Sequence, residues 1–312
     1  MLITRRSLTF GALGGALAST FSLPALARAP KLGVQAPGYY RLTVGSSEVT
    51  ILADGFIPLG TKLFTGDPSA QSVLGADTVK TSVNGWLINT GDRLILIDSG
   101  GSGLTDSLGK LSSNLLAAGY ALDQVDIVVL THLHGDHCSG LTAGGQAVFP
   151  NAVVRVAEAE LAFWSSAENL AKAPEGMKGQ FKLIETKLKP YRGAGRIQTF
   201  RTGEVVSGVT AEPAPGHTPG HTMFRIASGG AQLLIWGDIA HNAALQIPEP
   251  SRSIAYDVDP AMAVETRKKV LDQAATDKLA ITGAHLPFPG VGRIVRIGGA
   301  YGYVAEPWSQ SI

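Results

Sequence analysis

Thr131-His132-Leu133-His134-Gly135-Asp136-His137 is the stretch whose reading decides the fold. It follows the apolar run Val125 to Leu130, which reads as a short buried strand. Three histidines and an aspartate crowded at the exit of such a strand have the chemistry of a metal site. Imidazole and carboxylate suit zinc and its neighbours, and the one-residue gap between His132 and His134 lets both side chains point the same way. The bland alternative is a polar loop rich in histidine by chance, which the scarcity of histidine, 7 in 312 residues, makes a poor account.

Upstream, Ser82 to Asn89 and Arg93 to Asp98 read as a hairpin turning at Thr90-Gly91-Asp92. Leu108, Leu111, Leu115 and Ala118 then recur at helical spacing, with Gly119 as the stop. Strand, helix and strand leading into the histidines is the alternation of an α/β unit. Further back, Tyr39 to Val44 and Glu48 to Ala53 form another hairpin across Gly45-Ser46-Ser47. Asp54 to Lys80 reads as a long irregular connection whose Ile57, Leu59, Leu63 and Phe64 could cover a pocket.

Downstream, Ala152 to Val156 reads as a strand and Glu158 to Trp164 as a short helix. Residues 167–190 read as helical, divided near Pro174 and Gly176. Arg196 to Phe200, Val209 to Pro213, Thr222 to Ala227 and Gln232 to Trp236 are short strands. Pro260 opens a helix to about Ala275, Leu279 to Thr282 is a core strand, and Gly290 to Tyr303 a closing hairpin. No linker or repeat of fixed period follows residue 38, so residues 28–312 read as one domain.

Thr4-Arg5-Arg6-Ser7-Leu8-Thr9-Phe10 is a paired-arginine segment, and Gly11 to Leu23 is too short and too weakly apolar for a stable membrane span. With Ala25-Leu26-Ala27 offering a cleavage site, residues 1–27 resemble a twin-arginine signal peptide, which implies export of the folded chain to the periplasm or beyond. A cut after Ala29, a disordered arm or an uncleaved anchor are the other readings. The balance of charge, +1 overall with 16% charged residues, argues against a nucleic-acid partner, which needs clustered Lys and Arg. Cys138 is the only cysteine, so no intrachain disulfide forms; it reads as a buried thiol.

The other histidines, His217, His221, His241 and His285, also stand where strands should end. Pro215-Gly216-His217-Thr218-Pro219-Gly220-His221 follows one strand, Trp236-Gly237-Asp238 ends another, and Gly283-Ala284-His285 a third. A structural use of histidine would scatter some onto helix faces, so convergence on one site is expected.

In this order, Asp98-Ser99-Gly100, the HLHGDH cluster, PGHTPGH, the Gly237-Asp238 pair and the late His285 resemble the metallo-β-lactamase-fold hydrolase superfamily over essentially the whole mature chain. The resemblance implies an α+β fold, a four-layer αββα sandwich with metals at one edge of the sheets. It places one metal on His132, His134 and His217, a second on Asp136, His137 and His285, and Asp238 between them. True β-lactamases lack that bridging carboxylate, so antibiotic hydrolysis is disfavoured. Val148-Phe149-Pro150-Asn151-Ala152-Val153-Val154-Arg155, Phe163-Trp164, Ala171-Lys172-Ala173-Pro174 and Phe288-Pro289-Gly290 resemble methyl-parathion-hydrolase-like enzymes more closely. That likeness implies a dimer and an apolar pocket lined by Trp164 and Phe181. Leu104-Thr105 departs from the aromatic of the organophosphate-cleaving relatives, which puts arylesters and lactones at least level with phosphotriesters.

The expected activity is hydrolysis of small uncharged esters by two divalent ions sharing a hydroxide, since such ions lower the pKa of bound water from about 15.7 to near 7. Asp136 and Asp238 would orient it. Zinc is the default metal, with manganese, cobalt or iron as alternatives. His221 and His241 read as outer-shell or core groups. The rivals are an acyl-homoserine-lactone lactonase and, in another class, a non-catalytic periplasmic metal- or solute-binding protein.

Overall fold

The computed structural model describes residues 29–309, so the signal segment expected over residues 1–27 lies outside the described residues. Of the described residues, those from Pro37 onward form one compact unit. Its first sheet contains β1 (Tyr39–Val44), β2 (Ser47–Gly60), β3 (Thr78–Asn89), β4 (Leu94–Ile97) and β5 (Ile127–Val129). The small ribbon β6 (Thr142–Ala143) and β7 (Gln146–Ala147) follows, and β8 (Val153–Ala157) and β9 (Ile197–Phe200) complete the sheet in the order β1-β2-β3-β4-β5-β8-β9. The second sheet runs in sequence order: β10 (Gly203–Val206), β11 (Val209–Pro213), β12 (Thr222–Ser228), β13 (Ala231–Ile235), β14 (Ala280–Thr282), β15 (Val291–Ile297) and β16 (Ala300–Ala305). The helices are α1 (Ala70–Leu74), α2 (Leu111–Ala117), α3 (Gly135–Cys138), α4 (Glu158–Trp164), α5 (Ala167–Lys172), α6 (Glu175–Gly193), α7 (Ala243–Gln246) and α8 (Pro260–Thr276).

Alternation along the strands dictates the layers, because successive side chains of a strand leave on opposite faces. Trp86, Ile88, Ile95, Ile97, Ile127 and Val129 of the first sheet meet Val209, Phe224, Ile226, Leu233 and Ile235 of the second in the core between the sheets. The intervening Leu87, Leu94, Leu96 and Val128 face outward, under α2, α4 and α6. On the far side, Met223, Leu234 and Ile281 pack under Val270, Leu271 and Ala274 of α8. Strands apolar on every position are buried on both faces, and the result is the expected sandwich of helices, sheet, sheet and helices. Helix α6 shows why it docks: its buried Phe181, Ile184, Leu188 and Tyr191 recur every three or four residues on one stripe.

Two expectations are corrected. The connection expected over Asp54 to Lys80 is shorter, because β2 and β3 stay paired from Glu48 opposite Asn89 out to Gly60 opposite Thr78. An irregularity between Ala53 and Gly55 shifts the register there and breaks the alternation that marks a strand, and Pro58 adds a false stop signal. Strand β10 was not expected either; it is four residues long, starts on a glycine and has one buried residue, Val205.

Strands β4, β5, β8 and β9 run parallel to one another, as do β13 and β14. The segments carrying the histidines and aspartates therefore leave the sheets at one edge. There the sheets are tied together: Thr222 N–H donates to Thr131 O (2.9 Å), Asn84 Nδ2 to Leu286 O (2.9 Å), and Trp86 Nε1 to Thr282 Oγ1 (3.0 Å).

Candidate metal centre

Each expected donor follows a strand, and the structure brings all seven together. His132, His134 and His217 place one nitrogen each within 4.8 Å of one another, as do the ligand atoms of Asp136, His137 and His285. Asp238 stands between the groups: Oδ1 is 3.3 Å from His137 Nε2, and Oδ2 is 3.3 Å from His217 Nε2 and 3.1 Å from His285 Nε2. His134 Nδ1 lies 2.9 Å from His217 Nε2.

The outer ring nitrogens are held by acceptors. His137 Nδ1 is 2.8 Å from Asp98 Oδ2, His217 Nδ1 is 2.9 Å from Asp257 Oδ1, and His285 Nδ1 is 2.8 Å from Ser82 O. A proton on each outer nitrogen leaves an Nε2 lone pair pointing inward, which is how proteins orient imidazole toward a metal. Asp98 reaches both His137 and Thr131 from a left-handed backbone, φ 60°, a strain that polar contacts at functional sites sustain.

The residues fit divalent cations. His132 Nε2, His137 Nε2 and Asp238 Oδ1 are buried with no hydrogen-bond partner, an arrangement that costs about 1–3 kcal/mol per neutral group unless something occupies the lone pairs. Donors around a tetrahedral zinc with bonds near 2.0–2.1 Å stand about 3.3–3.4 Å apart, close to the spacings seen here.

Electrostatics point the same way. Burial drives the imidazoles of His132 and His134 well below their usual range, reinforced by the rings of His137 and His217 respectively. Burial also opposes charge on His137, but the carboxylates of Asp238, Asp136 and Asp98 outweigh it and hold it well above. His217 is lifted, against burial, to about 9 by Asp238 and Asp257. Burial would raise Asp136 and Asp238, yet the neighbouring histidines, His137 foremost, hold both well below the carboxylate range. The cluster binds protons where cations would sit.

His221 belongs to the support. Its Nε2 accepts from Asp238 N–H (3.0 Å) and its Nδ1 donates to Ala214 O (3.0 Å), so both nitrogens are engaged. Gly237 precedes Asp238 at φ 57°, and a Cβ there would come 2.6 Å from His221 Nε2, so this turn needs glycine. His241, read from sequence as outer-shell or core, reaches the cluster: its Nε2 is 3.2 Å from Asp238 Oδ2 and its ring stacks on His285. Cys138 is fully buried, and burial pushes its thiol up to about 12, as befits a packing residue.

A cavity of about 550 Å³ opens on the cluster. Asp136, Asp238, His134, His241 and His285 form its floor, and Ile57, Leu59, Leu104, Trp164, Met177 and Tyr256 its largely apolar wall. Trp164 is where the pocket expectation puts it. Phe181 is not on the wall: it sits one layer back in the helix core, 4.7 Å between ring centroids behind Trp164. Leu63 and Phe64 also miss the cavity, packing around Leu59, Ala70, Leu245 and Ile254.

Asp257 and Glu160 were missed. Asp257 orients His217 from 40 residues away, with no local signal. Glu160 had one, an acid four residues before Trp164 on a short apolar helix, and it is completely buried.

A family model described as the metallo-beta-lactamase superfamily matches residues 78–295. A probable metallo-hydrolase of Mycobacterium tuberculosis is 29% identical over 177 residues, 49% of this chain and 54% of the relative. The chain spans about half the length of the curated relatives it matches. Among solved structures, the hydrolase AbOPH of the beta lactamase superfamily is 35% identical with a TM-score of 0.85, covering 89% of this chain and 100% of its own. AidC, a dizinc quorum-quenching lactonase solved with the product N-hexanoyl-L-homoserine, is 26% identical with a TM-score of 0.79, covering 88% and 99%.

Proposed function

The chain belongs to the metallo-beta-lactamase superfamily, and from that premise we propose that this metallo-hydrolase cleaves small uncharged esters, with lactones and arylesters ahead of phosphotriesters. The observation that carries the reading is the apolar cavity of about 550 Å³ whose floor is the imidazole and carboxylate cluster. A wall of aliphatic and aromatic side chains gains free energy by covering an acyl or aryl group and offers a polyanion nothing.

His132, His134 and His217 would hold one divalent cation, Asp136, His137 and His285 a second, and Asp238 both. Bound there, such ions supply the positive charge that ionises water near neutral pH and polarises an acyl or phosphoryl oxygen. The protein's own groups do the rest. Trp164, Leu104 and Ile57 hold the apolar part of the substrate and keep bulk water from the floor. Asp136, with 16% of its side chain accessible against 2% for Asp238, faces the cavity ionised and is placed to accept a hydrogen bond from the attacking water and orient it. Thr131, Asp98, Asp257 and Ser82 keep the rings aimed.

A narrower reading, acyl-homoserine-lactone hydrolysis, is supported by the likeness to AidC across most of both chains. The methyl-parathion-hydrolase-like motifs and the likeness to AbOPH support a broader one. Metal analysis of the purified protein, followed by rates on an aryl acetate, dihydrocoumarin, an acyl-homoserine lactone and paraoxon, separates them. Two equivalents of metal without hydrolysis of any would defeat the ester reading and leave a binding protein. The paired arginines Arg5 and Arg6 support export, which cell fractionation tests.

A further inference from the structure

Glu160 is a fully buried acid whose hydrogen bonds all come from neutral donors. Oε1 accepts from Leu133 N–H (2.9 Å) and Trp164 Nε1–H (2.8 Å). Oε2 accepts from the Thr218 hydroxyl (2.7 Å) and Gly220 N–H (2.9 Å). Four donors on two oxygens are what an ionised carboxylate requires. The donors share a location: Leu133 stands between His132 and His134, Thr218 directly follows His217, and Trp164 is the aromatic wall of the cavity. The fit is close, since a Cβ at Gly220 would come 2.2 Å from Glu160 N. Burying a charge with no cationic partner is a costly way to fill space that a leucine or methionine would fill as well.

We propose that Glu160 is a positioning residue for the donors His132, His134 and His217, locking their two loops in register and fixing Trp164 to the same carboxylate. This rests on the metal-centre reading above. Each oxygen serves a different part: Oε1 holds the first histidine loop and the indole, and Oε2 holds the loop of His217. Besides the acid, the two loops are joined here by the backbone bond from Thr222 to Thr131 and by the contact of His134 Nδ1 with His217 Nε2, which a bound cation would separate. The carboxylate thus sets the spacing of the backbones that carry the three nitrogens, while Asp257 sets the angle of the His217 ring. His137 and His285 are aimed by Asp98 and Ser82 instead, so they do not depend on it.

Glu160→Gln tests the assignment on the full chain. With its oxygen toward the Leu133 and Trp164 N–H groups, the new amide must turn its NH2 toward Thr218 and Gly220. The Thr218 hydroxyl can reverse and accept, but Gly220 N–H loses its acceptor, so the His217 loop is released. Metal-free protein titrated with Zn²⁺ against a chromophoric chelator should show one zinc weakened about 10- to 100-fold and the other changed by less than about threefold, the size expected for groups that orient ligands. Thermal unfolding of the metal-free variant should stay near that of the parent. Equal tightness of both zinc ions in variant and parent would overturn the proposal. So would parallel weakening of both together with a collapsed metal-free melting temperature, which would make Glu160 a general structural residue. If Glu160→Gln does not fold, Thr218→Val removes one donor and leaves the acid three; unchanged zinc binding in it also overturns the proposal. A parent chain that takes up no zinc would instead defeat the metal-centre reading itself.

Discussion

His134 Nδ1 and His217 Nε2 face each other at 2.9 Å although 83 residues separate them in the chain. Two imidazole lone pairs repel at that distance unless a proton or a cation lies between them. His134→Ala should therefore lose a bound divalent ion and at least about a hundredfold of ester turnover, while the circular dichroism of the fold is retained. Elemental analysis beside rate measurement checks it, and a variant with full metal and full turnover would contradict it.

Asp238 serves both groups of donors, so its loss should be felt twice. Asp238→Asn keeps the shape, removes the charge and turns one oxygen facing His137, His217 or His285 into an NH2. Both metal equivalents should weaken, in contrast to the one-sided effect of His134→Ala. Zinc titration of the two variants side by side decides the point.

The pH dependence has a definite sign. In the metal-free protein His217 is lifted from 6.5 to about 9, with Asp238 and Asp257 opposing burial. A raised pKa in the folded state contributes stability below pH 6.5 that is lost as pH climbs through 9. The melting temperature of metal-free protein should thus fall across that window. Divalent ions must displace this proton, so their binding should release protons at neutral pH and tighten as pH rises. Calorimetry in buffers of different ionisation enthalpy reads the release; heats independent of buffer would refute it.

Trp164 and Phe181 should behave differently although their rings touch. Trp164→Ala opens the cavity wall and the core together, costing about 3–5 kcal/mol in stability and raising KM for aryl substrates. Phe181→Leu should lower the melting temperature with KM nearly unchanged, because that ring lies behind the wall. An equal KM effect from both would place Phe181 in the pocket after all.

Much of the site is legible in the sequence because its donors follow strands whose apolar runs are plain, and histidine is used almost nowhere else. The layers are legible for the same reason: Trp86 and Ile88 alternate with Leu87, which assigns them to opposite faces. What stays hidden depends on direction and distance. Phe181 and Trp164 are both aromatics on helices, and only packing tells wall from backing. Asp257 carries no pattern that separates it from any surface acid before His217 is seen beside it. Gly55 conceals the outer half of β2 by breaking the period on which a strand is recognised.

Leu59, Phe64, Ala70, Leu245 and Ile254 form a small nucleus of their own, apart from the three cores of the sandwich. It lies beside Ile57 and Tyr256, which roof the floor of donors without contributing to it. Natural variation there can reshape the entrance while the ionising apparatus beneath is left alone. Breadth of diet and chemical competence are thus governed by separate parts of this molecule, and descendants can change the first while inheriting the second.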